Sequence, residues 1–350
     1  MKILLVGNLG YIGPVAATHL REVFPQAQIH GYDTGYFAGC LVDPRDFPET
    51  VIDRQYFGDV RGFNPEALAG ADAVVQLAAI SNDPMGKAYE AATEQVNHES
   101  AVSIARMARA AGVRNFVFAS SCSVYGAGGD GAKTESAPLN PLTAYARSKI
   151  NAEAGLRAIA TPGFTVTCLR FATACGFSPR LRLDLVLNDF VAAALTAGRI
   201  EILSDGTPWR PLIHVRDMAR AIEWAAGRKP SDGGDFLTVN AGSDEWNFQI
   251  ADLARAVQAE LGGVEISINR NAAPDKRSYR VDFGLFRRLA PAHSPRVRLP
   301  EAVRELAAGL RAAGFSDRNF RASRFIRLQV LADARAANRL DAELRWTGRS

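Results

Sequence analysis

The residue pair best suited to chemistry in this 350-residue chain is a tyrosine and a lysine four positions apart, Tyr145 and Lys149 in NPLTAYARSK. A helix places residues i and i+4 on one face, so the lysine ammonium can lie beside the phenol. A tyrosine normally titrates near pH ~10, and a neighbouring positive charge lowers that pKa. Tyr145 is therefore a candidate proton acceptor from a substrate hydroxyl. Ser121, in FASSCSVYG, can hydrogen-bond the same oxygen. Such a group can oxidise an alcohol where a hydride acceptor is bound.

The N-terminal segment MKILLVGNLGYIG is suited to binding that acceptor. A short apolar run leads into Gly7, Gly10 and Gly13, and a helical pattern follows. Glycines allow a sharp turn from strand to helix and let backbone N–H groups approach a pyrophosphate. The next predicted strand, AQIHGYD, ends in Asp33, where a carboxylate meets the adenosine ribose hydroxyls. Because a carboxylate there repels a 2′-phosphate, the sequence predicts NAD and not NADP.

Alternating strand and helix patterns predict the scaffold for these residues, a doubly wound parallel sheet with helices on both faces. The predicted strands are KILLVG, QIHGYD, RQYFGDV, AVVQLAA, NFVFASS and FTVTCLRF, and the clearest helices span 97–112 and about 143–160. After residue 170 the alternation weakens, which indicates a smaller lobe interleaved with the end of the first domain. We expect residues 1–170 and about 205–240 to form the sheet domain, 171–315 mainly the smaller lobe, and 316–350 a helical extension. Apolar Phe325, Leu328, Ala332 and Ala336 recur at helical spacing in that extension.

Composition favours a soluble globular protein of a reducing compartment. The hydrophobic fraction is 47% and the charged fraction 22%, with no stretch approaching the ~20 apolar residues of a membrane span. The four cysteines lack paired metal spacing and the five histidines are scattered, so no metal site is expected. We expect a cytoplasmic protein without a membrane partner.

The net charge of +4 is unevenly distributed. Residues 277–350 hold 16 Arg and no Lys against 7 Asp or Glu, which gives +9, while the rest of the chain sums to −5. A basic tail can indicate nucleic-acid binding. These arginines are instead spread through helical patterns without the interleaved aromatic residues of a single-strand binder. No nucleic-acid partner is expected.

The chain resembles the extended short-chain dehydrogenases/reductases of the NAD-dependent nucleotide-sugar epimerase/dehydratase family. The matching motifs, in order over roughly residues 1–310, are GNLGYIG, Asp33, GDV at 58–60, VVQLAAIS, FASSCSVYG, YARSK, LRFATACG and GTPWRPLIHVRDMARAI. The resemblance implies a Rossmann-type fold with a smaller α/β substrate-binding lobe and a homodimer formed through the helices around 97–112 and 143–160. It assigns catalysis to Ser121, Tyr145 and Lys149, although Ser120 and Ser123 are close enough to keep the serine's identity open. It assigns NAD binding to Gly7, Leu9, Gly10, Tyr11, Ile12, Gly13, Asp33, Asp59, Val60, Leu77, Ala78, Ala79, Ser120, Tyr145 and Lys149.

The substrate implied by the resemblance is a nucleotide-diphosphate sugar. Its candidate ligands are Ser121, Ser123, Thr173, Arg180, Arg182, Asn188, Arg210 and Arg280. Thr173 stands where an epimerase of this type usually has Asn, and Arg210 matches the family's phosphate-binding arginine. An arginine fork suits a diphosphate. We interpret His214 as structural and Asp217 as the cap of the next helix.

The most plausible reaction is redox-neutral epimerisation, at C4 of the sugar. Dehydratases of the family carry an Asp-Glu pair after the catalytic Ser or Thr, where this chain has Cys122 and Ser123, so 4,6-dehydration is disfavoured. A nucleotide-sugar ketoreductase or dehydrogenase and a uronate decarboxylase are alternatives that the motifs do not separate. An NAD-sensing binding protein is disfavoured because Tyr145 and Lys149 are both present.

Overall fold

The computed structural model describes residues 1–127, 131–272 and 277–348. Within these ranges the strands are β1 Lys2–Val6, β2 Gln28–Asp33, β3 Arg54–Phe57, β4 Ala73–Gln76, β5 Asn115–Ser121, β6 Ala132–Lys133, β7 Thr165–Phe171, β8 Thr173–Cys175, β9 Arg199–Ile202, β10 Trp209–His214, β11 Phe236–Ala241, β12 Asn247–Gln249, β13 Glu265–Ile268 and β14 Arg280–Val281. The α-helices are α1 Gly13–Val23, α2 Asp83–Ala88, α3 Glu90–Glu94, α4 Ser100–Ala110, α5 Ala144–Arg157, α6 Val186–Ala197, α7 Val215–Gly227, α8 Ile250–Leu261, α9 Gly284–Leu289, α10 Leu299–Ala312 and α11 Arg327–Ala336.

The central sheet has seven strands in the order β11-β7-β5-β4-β1-β2-β3, and every neighbouring pair is parallel. This confirms the predicted doubly wound fold. Strand order reverses at β1, and in open parallel sheets the crevice outside the carboxyl ends at such a point is the usual ligand site. The predicted segments QIHGYD and NFVFASS coincide with β2 and β5, whereas β1 ends before Gly7, whose φ of +89° turns the chain out of the strand.

A π-helical turn, Gln95–Glu99, interrupts the helical run that contains the predicted helix 97–112. Its fully buried Asn97 accepts the Ile80 N–H at 2.8 Å and donates to the Ile80 carbonyl at 3.1 Å. Asn97 also donates to the Ser148 hydroxyl at 3.1 Å. Such turns are frequently found at functional sites. Here the turn fastens the loop after β4 to α5.

The helices α6, α8 and α10, with the small sheets beside them, form a second region around its own apolar core. β8, β10 and β12 form a three-stranded sheet, and β9 pairs with β13. Residues of α6, α8 and α10 pack together in that core, fully buried Val191, Leu253 and Leu306 among them. α7 packs on α1, and β11 closes one edge of the central sheet. No α-helix in the described ranges is long and apolar enough to cross a membrane.

One expected helix cap is wrong. The side chain that caps α7 is His214, whose Nδ1 accepts the Arg216 N–H at 3.2 Å. Asp217 lies inside the helix and accepts the backbone N–H groups of Arg296 and Val297 at 2.9 and 3.1 Å. The carboxylate therefore fastens a distant loop to α7. Burial lowers the pKa of His214 to about 3, which suits the structural role expected for it.

The C-terminal extension forms α11, but its buried face differs from the predicted one. The buried residues of the helix are Arg327, Leu331 and Ala334, whereas Ala336 is exposed. Leu331 belongs to the core beside the central sheet, and Phe325, just before the helix, belongs to that of the second region. The apolar pattern missed this face because an arginine takes part in it.

A buried ion pair joins α5 to the sheet. Arg170 on β7 donates from Nε and Nη2 to the two carboxylate oxygens of Glu153 on α5, at 2.9 and 2.6 Å. The Ser120 hydroxyl on β5 also donates to this carboxylate, at 2.5 Å. Arg170 and Glu153 are 4% and 6% exposed. Since α5 carries Tyr145 and Lys149, the pair fixes both relative to the end of β5.

Breaking this pair should destabilise the protein strongly. Arg170→Met leaves a buried carboxylate without its cation, for which a loss of about 3–5 kcal/mol in the free energy of unfolding is expected. The matched control is Arg255→Met, which breaks the exposed Arg255–Asp252 pair on α8 and should cost about 1 kcal/mol or less. Urea unfolding of both variants makes the comparison. Equal losses would contradict the role given to the buried pair.

Candidate active site

A cavity of about 870 Å³ lies at the carboxyl ends of the sheet strands, between the sheet and the second region. Tyr145, Lys149 and Ser121 all line it. Tyr145 and Lys149 stand in the first two turns of α5, which Thr143 caps by accepting the Ala146 N–H at 3.2 Å. Ser121 is the last residue of β5, and its hydroxyl accepts the Ser123 N–H at 3.1 Å. The fold thus brings together the three residues expected to be catalytic.

The charges around Tyr145 differ from the expectation drawn from its spacing to Lys149. Burial raises the pKa of Tyr145 to about 12, although its hydrogen bond with Ser121 and the Arg182 guanidinium act to lower it. Lys149 Nζ donates to the Ala119 carbonyl at 2.7 Å and lies 5.6 Å from the centre of the Tyr145 ring. Burial lowers the pKa of Lys149 to about 7. The protein's own groups therefore leave Tyr145 protonated near neutral pH.

The cavity wall beside α1 fits a dinucleotide. Its wall includes Gly7 and Gly10, and a Cβ built at Gly7 would lie 2.3 Å from the Ala78 nitrogen. The first turn of α1 carries no acidic residue, so the positive end of the helix dipole is available to a phosphate. The Asp33 carboxylate accepts N–H groups from Leu9 and Gly35 at 2.9 and 2.7 Å, which fixes it where ribose hydroxyls are expected. These features fit NAD.

Most residues expected to bind NAD lie on the wall of this cavity. They are Gly7, Gly10, Tyr11, Ile12, Asp33, Asp59, Val60, Leu77, Ala78, Ala79, Ser120, Tyr145 and Lys149. Leu9 and Gly13 are placed behind the wall. Leu9 acts through its N–H bond to Asp33, and a Cβ on Gly13 would lie 2.0 Å from the Asn8 carbonyl oxygen. Their contribution is to shape the turn.

The residues expected to bind substrate divide into two groups. Those on the cavity wall are Ser121, Ser123, Thr173, Arg182 and Arg210. The Ser123 hydroxyl is buried there without a hydrogen-bond partner among the described residues. Because buried polar groups are normally hydrogen-bonded, this oxygen is a candidate ligand for a bound substrate.

Arg180, Asn188 and Arg280 are placed away from the wall, contrary to the substrate contacts expected of them. Arg180 forms a buried ion pair with Glu49. Fully buried Asn188 donates to the Arg182 carbonyl at 2.9 Å. The Arg280 guanidinium lies 5.2 Å over the Trp209 ring. The position of an arginine or asparagine in the sequence does not show whether its side chain is already bound to other parts of the protein.

A polar network beside Tyr145 escaped the sequence analysis. Asn82 has a φ of +141°, a conformation that favours glycine, and its side chain caps α2 by accepting the Met85 N–H at 2.9 Å. The Asn82 amide donates to Asp184 at 2.7 Å, and Arg182 binds the same carboxylate through two N–H groups at 3.0 and 2.9 Å. Backbone strain of this kind concentrates at functional sites. The Asn-Asp-Pro run at 82–84, typical of a helix start, was the available sequence signal.

Further cavity residues were also missed by the sequence analysis. They come from the loop after β2, from the network beside Tyr145, from the second region and from the C-terminal segment, and include Thr34, Tyr36, Phe37, Ser81, Asp83, Thr143, Asp184, Asp189, Leu203, Tyr279, Arg321 and Arg327. Tyr36, Phe37 and Arg327 meet across about 290 residues of sequence. Local patterns give no signal for such a contact.

The lowered pKa of Lys149 has a consequence for stability. Between about pH 7 and the usual lysine pKa of ~10.4, the unfolded chain binds a proton that the folded chain does not, so stability rises with pH. Relative to Lys149→Met, the free energy of unfolding of the cofactor-free wild type should rise by up to ~1.4 kcal/mol per pH unit between about pH 7 and pH 9. Exposed Lys87 provides the control variant Lys87→Met. Urea unfolding of each protein at about pH 7 and pH 9 measures these free energies. If the difference between the wild type and Lys149→Met does not change with pH, Lys149 stays charged in the folded protein.

Comparison with known proteins identifies the family. Residues 3–242 match the model of the NAD dependent epimerase/dehydratase family. The chain is 29% identical over 281 residues to the UDP-glucose 4-epimerase of Streptomyces lividans, covering 75% of this chain and 81% of that protein. It is 28% identical over 292 residues to the dTDP-glucose 4,6-dehydratase of Streptomyces griseus, covering 80% and 85%.

The solved structures include MoeE5 in complex with UDP-glucuronic acid and NAD. Its TM-score to this chain is 0.76 at 27% sequence identity, covering 89% of this chain and 100% of that one. The match reaches beyond the central sheet into the second region. Together with the dinucleotide-shaped wall and the Ser-Tyr-Lys group, these similarities show that the protein belongs to the NAD-dependent epimerase/dehydratase family of extended short-chain dehydrogenases/reductases, with NAD as its cofactor.

Proposed function

We propose that this enzyme epimerises a nucleotide-diphosphate sugar at C4 through a transient keto-sugar. When bound, NAD supplies the hydride acceptor and a positively charged nicotinamide ring. That charge favours the Tyr145 phenolate, which the protein's own groups do not produce. Tyr145 then takes the proton of the sugar 4-hydroxyl, and the Ser121 hydroxyl holds the oxygen as it becomes a carbonyl. The C4 hydrogen would leave as hydride to bound NAD when the carbonyl forms, and it would return to the opposite face of the keto-sugar after the sugar has turned over. Return of the proton from Tyr145 to the C4 oxygen then completes an inversion at C4 with no net redox change.

The state of the carboxylates near Tyr145 supports epimerisation over dehydration. Removal of a sugar hydroxyl as water needs a protonated acid beside it. Burial alone would raise the pKa of Asp184, but the Arg182 guanidinium holds it below its usual value. Asp83 accepts the Thr143 hydroxyl at 2.8 Å and a guanidinium N–H of Arg277 at 3.0 Å. Asp184 is thus a poor proton donor, and Asp83 is taken up as the ion-pair partner of Arg277.

The residues after Ser121 support the same choice. Cys122 is 1% exposed, and its thiol donates to the Arg170 carbonyl at 3.1 Å, so it points away from the cavity. Burial also raises the pKa of this thiol far above its usual value. Ser123 faces the cavity but carries no acid. This pair lacks the carboxyl groups found after the catalytic Ser or Thr in dehydratases of the family. We take this as the observation that carries the proposal.

For the keto-sugar to turn within the site, the substrate must be held by groups other than the sugar. Arg210 on β10 lines the cavity within the second region, and its guanidinium suits a diphosphate. Leu203 lines the same part and is 82% exposed. An apolar side chain at the cavity mouth is suited to cover a nucleotide base. A substrate held by diphosphate and base leaves the sugar free to present either face to the cofactor.

Isotope retention tests the reaction. A panel of UDP-glucose, UDP-glucuronic acid and dTDP-glucose, each deuterated at C4, is incubated with enzyme and a trace of NAD. Epimerisation should give many turnovers to an isomer that keeps its C4 deuterium, with no net change in NADH absorbance. Product formation in step with NADH change would make the protein a reductase or dehydrogenase. Loss of water would indicate a dehydratase, and release of carbon dioxide a uronate decarboxylase.

Two variants accompany this assay. Tyr145→Phe removes the proton acceptor and should lower kcat by about 10²–10⁴-fold while NAD stays bound. Tyr56→Phe, which removes a hydroxyl outside the cavity wall, should leave kcat unchanged. Near-normal turnover by Tyr145→Phe would exclude the mechanism, whatever the substrate.

We further propose that two copies pair through the helices expected to form the dimer, α4 and α5, together with α3 beside them. Glu90, Ala91, Ala144, Arg147 and Ile150 line a shallow depression there. Light scattering should give twice the 37.7 kDa mass of one chain. Ala91 lies on the exposed rim of this depression, and Ala91→Arg should reduce the measured mass to that of one chain. The circular dichroism spectrum of this variant should match that of the wild type. A wild type of single-chain mass would refute the pairing.

A further inference from the structure

Arg327 is a buried cation of the C-terminal segment that lines the cavity. It stands at the start of α11 and is 1% exposed. Its guanidinium lies 4.8 Å over the ring of Phe37 and donates to the backbone carbonyls of Arg180 and Arg324 at 2.8 and 3.4 Å. Neutral groups therefore account for its protein contacts. Burial lowers its pKa to about 10, which leaves it charged at neutral pH.

The charges around Arg327 do not balance. Arg180 is paired with Glu49, and Arg182 with Asp184. No carboxylate in the described part of the chain forms an ion pair with Arg327. A charge that is buried without a partner is strongly unfavourable, so buried cations are normally paired. Arg327 thus brings to the wall a positive charge that no ion pair in the described part of the chain neutralises.

The place of Arg327 is at the cofactor end of the cavity. Phe37, on which it stacks, follows the ribose-facing Asp33 by four residues. Arg180, whose carbonyl it binds, donates in turn to the Ala38 carbonyl at 3.2 Å. The arginine of the C-terminal segment at the other end of the cavity, Arg321, is already neutralised by two bonds of 2.8 Å to Asp189. An anion bound near the loop after β2 would therefore be placed to pair with Arg327.

We propose that Arg327 binds the pyrophosphate of NAD and that residues 316–348 are thereby a built part of the cofactor site. The pyrophosphate is the anionic group of NAD, and a guanidinium fork matches two phosphate oxygens. In this arrangement the helix dipole of α1 and Arg327 hold the pyrophosphate from two sides. This inference depends on the NAD site and is independent of which sugar reaction the enzyme performs.

The rest of the segment is fastened to the same loop. The Trp346 indole N–H donates to the Thr34 carbonyl at 2.8 Å, and its ring lies 5.8 Å from that of Tyr36. The Tyr36 hydroxyl donates to the Leu344 carbonyl, and Arg61 Nη1 donates to the Glu343 carbonyl at 2.5 Å. These contacts hold the loop after Asp33 from outside. Arg327 enters the cavity beneath it.

The test compares Arg327→Met with Arg335→Met. Methionine keeps the packing of the arginine stem and removes the charge, and Arg335 is an exposed arginine of the same helix. NAD retained after purification is measured by chromatography of the denatured protein. Calorimetry on nucleotide-free protein then measures dissociation constants for NAD, ADP-ribose and UDP. Arg327→Met should retain less NAD and bind NAD and ADP-ribose about tenfold more weakly or worse, with UDP unchanged. Arg335→Met should match the wild type in every measurement.

The other outcomes each overturn the proposal. Unchanged binding of NAD and ADP-ribose would make Arg327 a purely structural residue. Weaker binding of UDP alone would assign it to the diphosphate of the substrate.

Circular dichroism and thermal unfolding check that the variants fold. If Arg327→Met does not fold, Arg327→Lys keeps the charge but loses the fork, and it should still bind ADP-ribose more weakly while binding UDP normally. Neither the retained NAD nor the dissociation constants depend on turnover, so a negative result for Arg327 does not bear on the proposed epimerisation.

Discussion

The ion pair between Arg170 and Glu153 is the constraint on which the catalytic geometry depends. It is buried, it is bidentate, and it joins a central strand to the helix that carries Tyr145 and Lys149. Two charges in the interior carry a large desolvation cost, so the arrangement is favourable only while the geometry holds. A small slide of α5 would leave both charges poorly paired. The pair therefore sets position more than it adds stability, and the end of β5 stays aligned with the helix.

The same low-polarity surroundings explain the resting state of the catalytic residues. Burial disfavours charge on either one, raising the pKa of Tyr145 and lowering that of Lys149. Within the protein alone, proton acceptance by the phenol is therefore suppressed. A cofactor that brings its own positive charge reverses this locally. In the proposed mechanism, base activity of Tyr145 is thus coupled to occupation of the cofactor site, so the tyrosine acts as a base only where a hydride acceptor is also present.

The parts that were predictable from sequence are those with a local signature. β2 and β5 were predicted to the residue because Asp33 and Ser121 end regular strand patterns, and the Tyr145–Lys149 pair follows from spacing on one helix. Strands of two or three residues, such as β8, have no pattern of their own. Asp217, Arg180 and Arg327 were misjudged or missed because their partners lie far away in sequence. Long-range partners decide whether a polar residue is structural or functional, and one sequence does not show them.

The hydrogen bond between Trp346 and Thr34 joins residues 312 positions apart, and Thr34 begins the loop that follows Asp33. A ribosome adding about 5–20 residues per second needs roughly 15–60 s to cover that distance. For most of this interval the glycine turn and β2 are outside the ribosome, while the loop beside them lacks its outer support. The dinucleotide-binding wall is thus among the first parts of the chain to be synthesised and among the last to be completed. The loop beside this wall therefore gains its outer support only after the distal segment of the chain has been made.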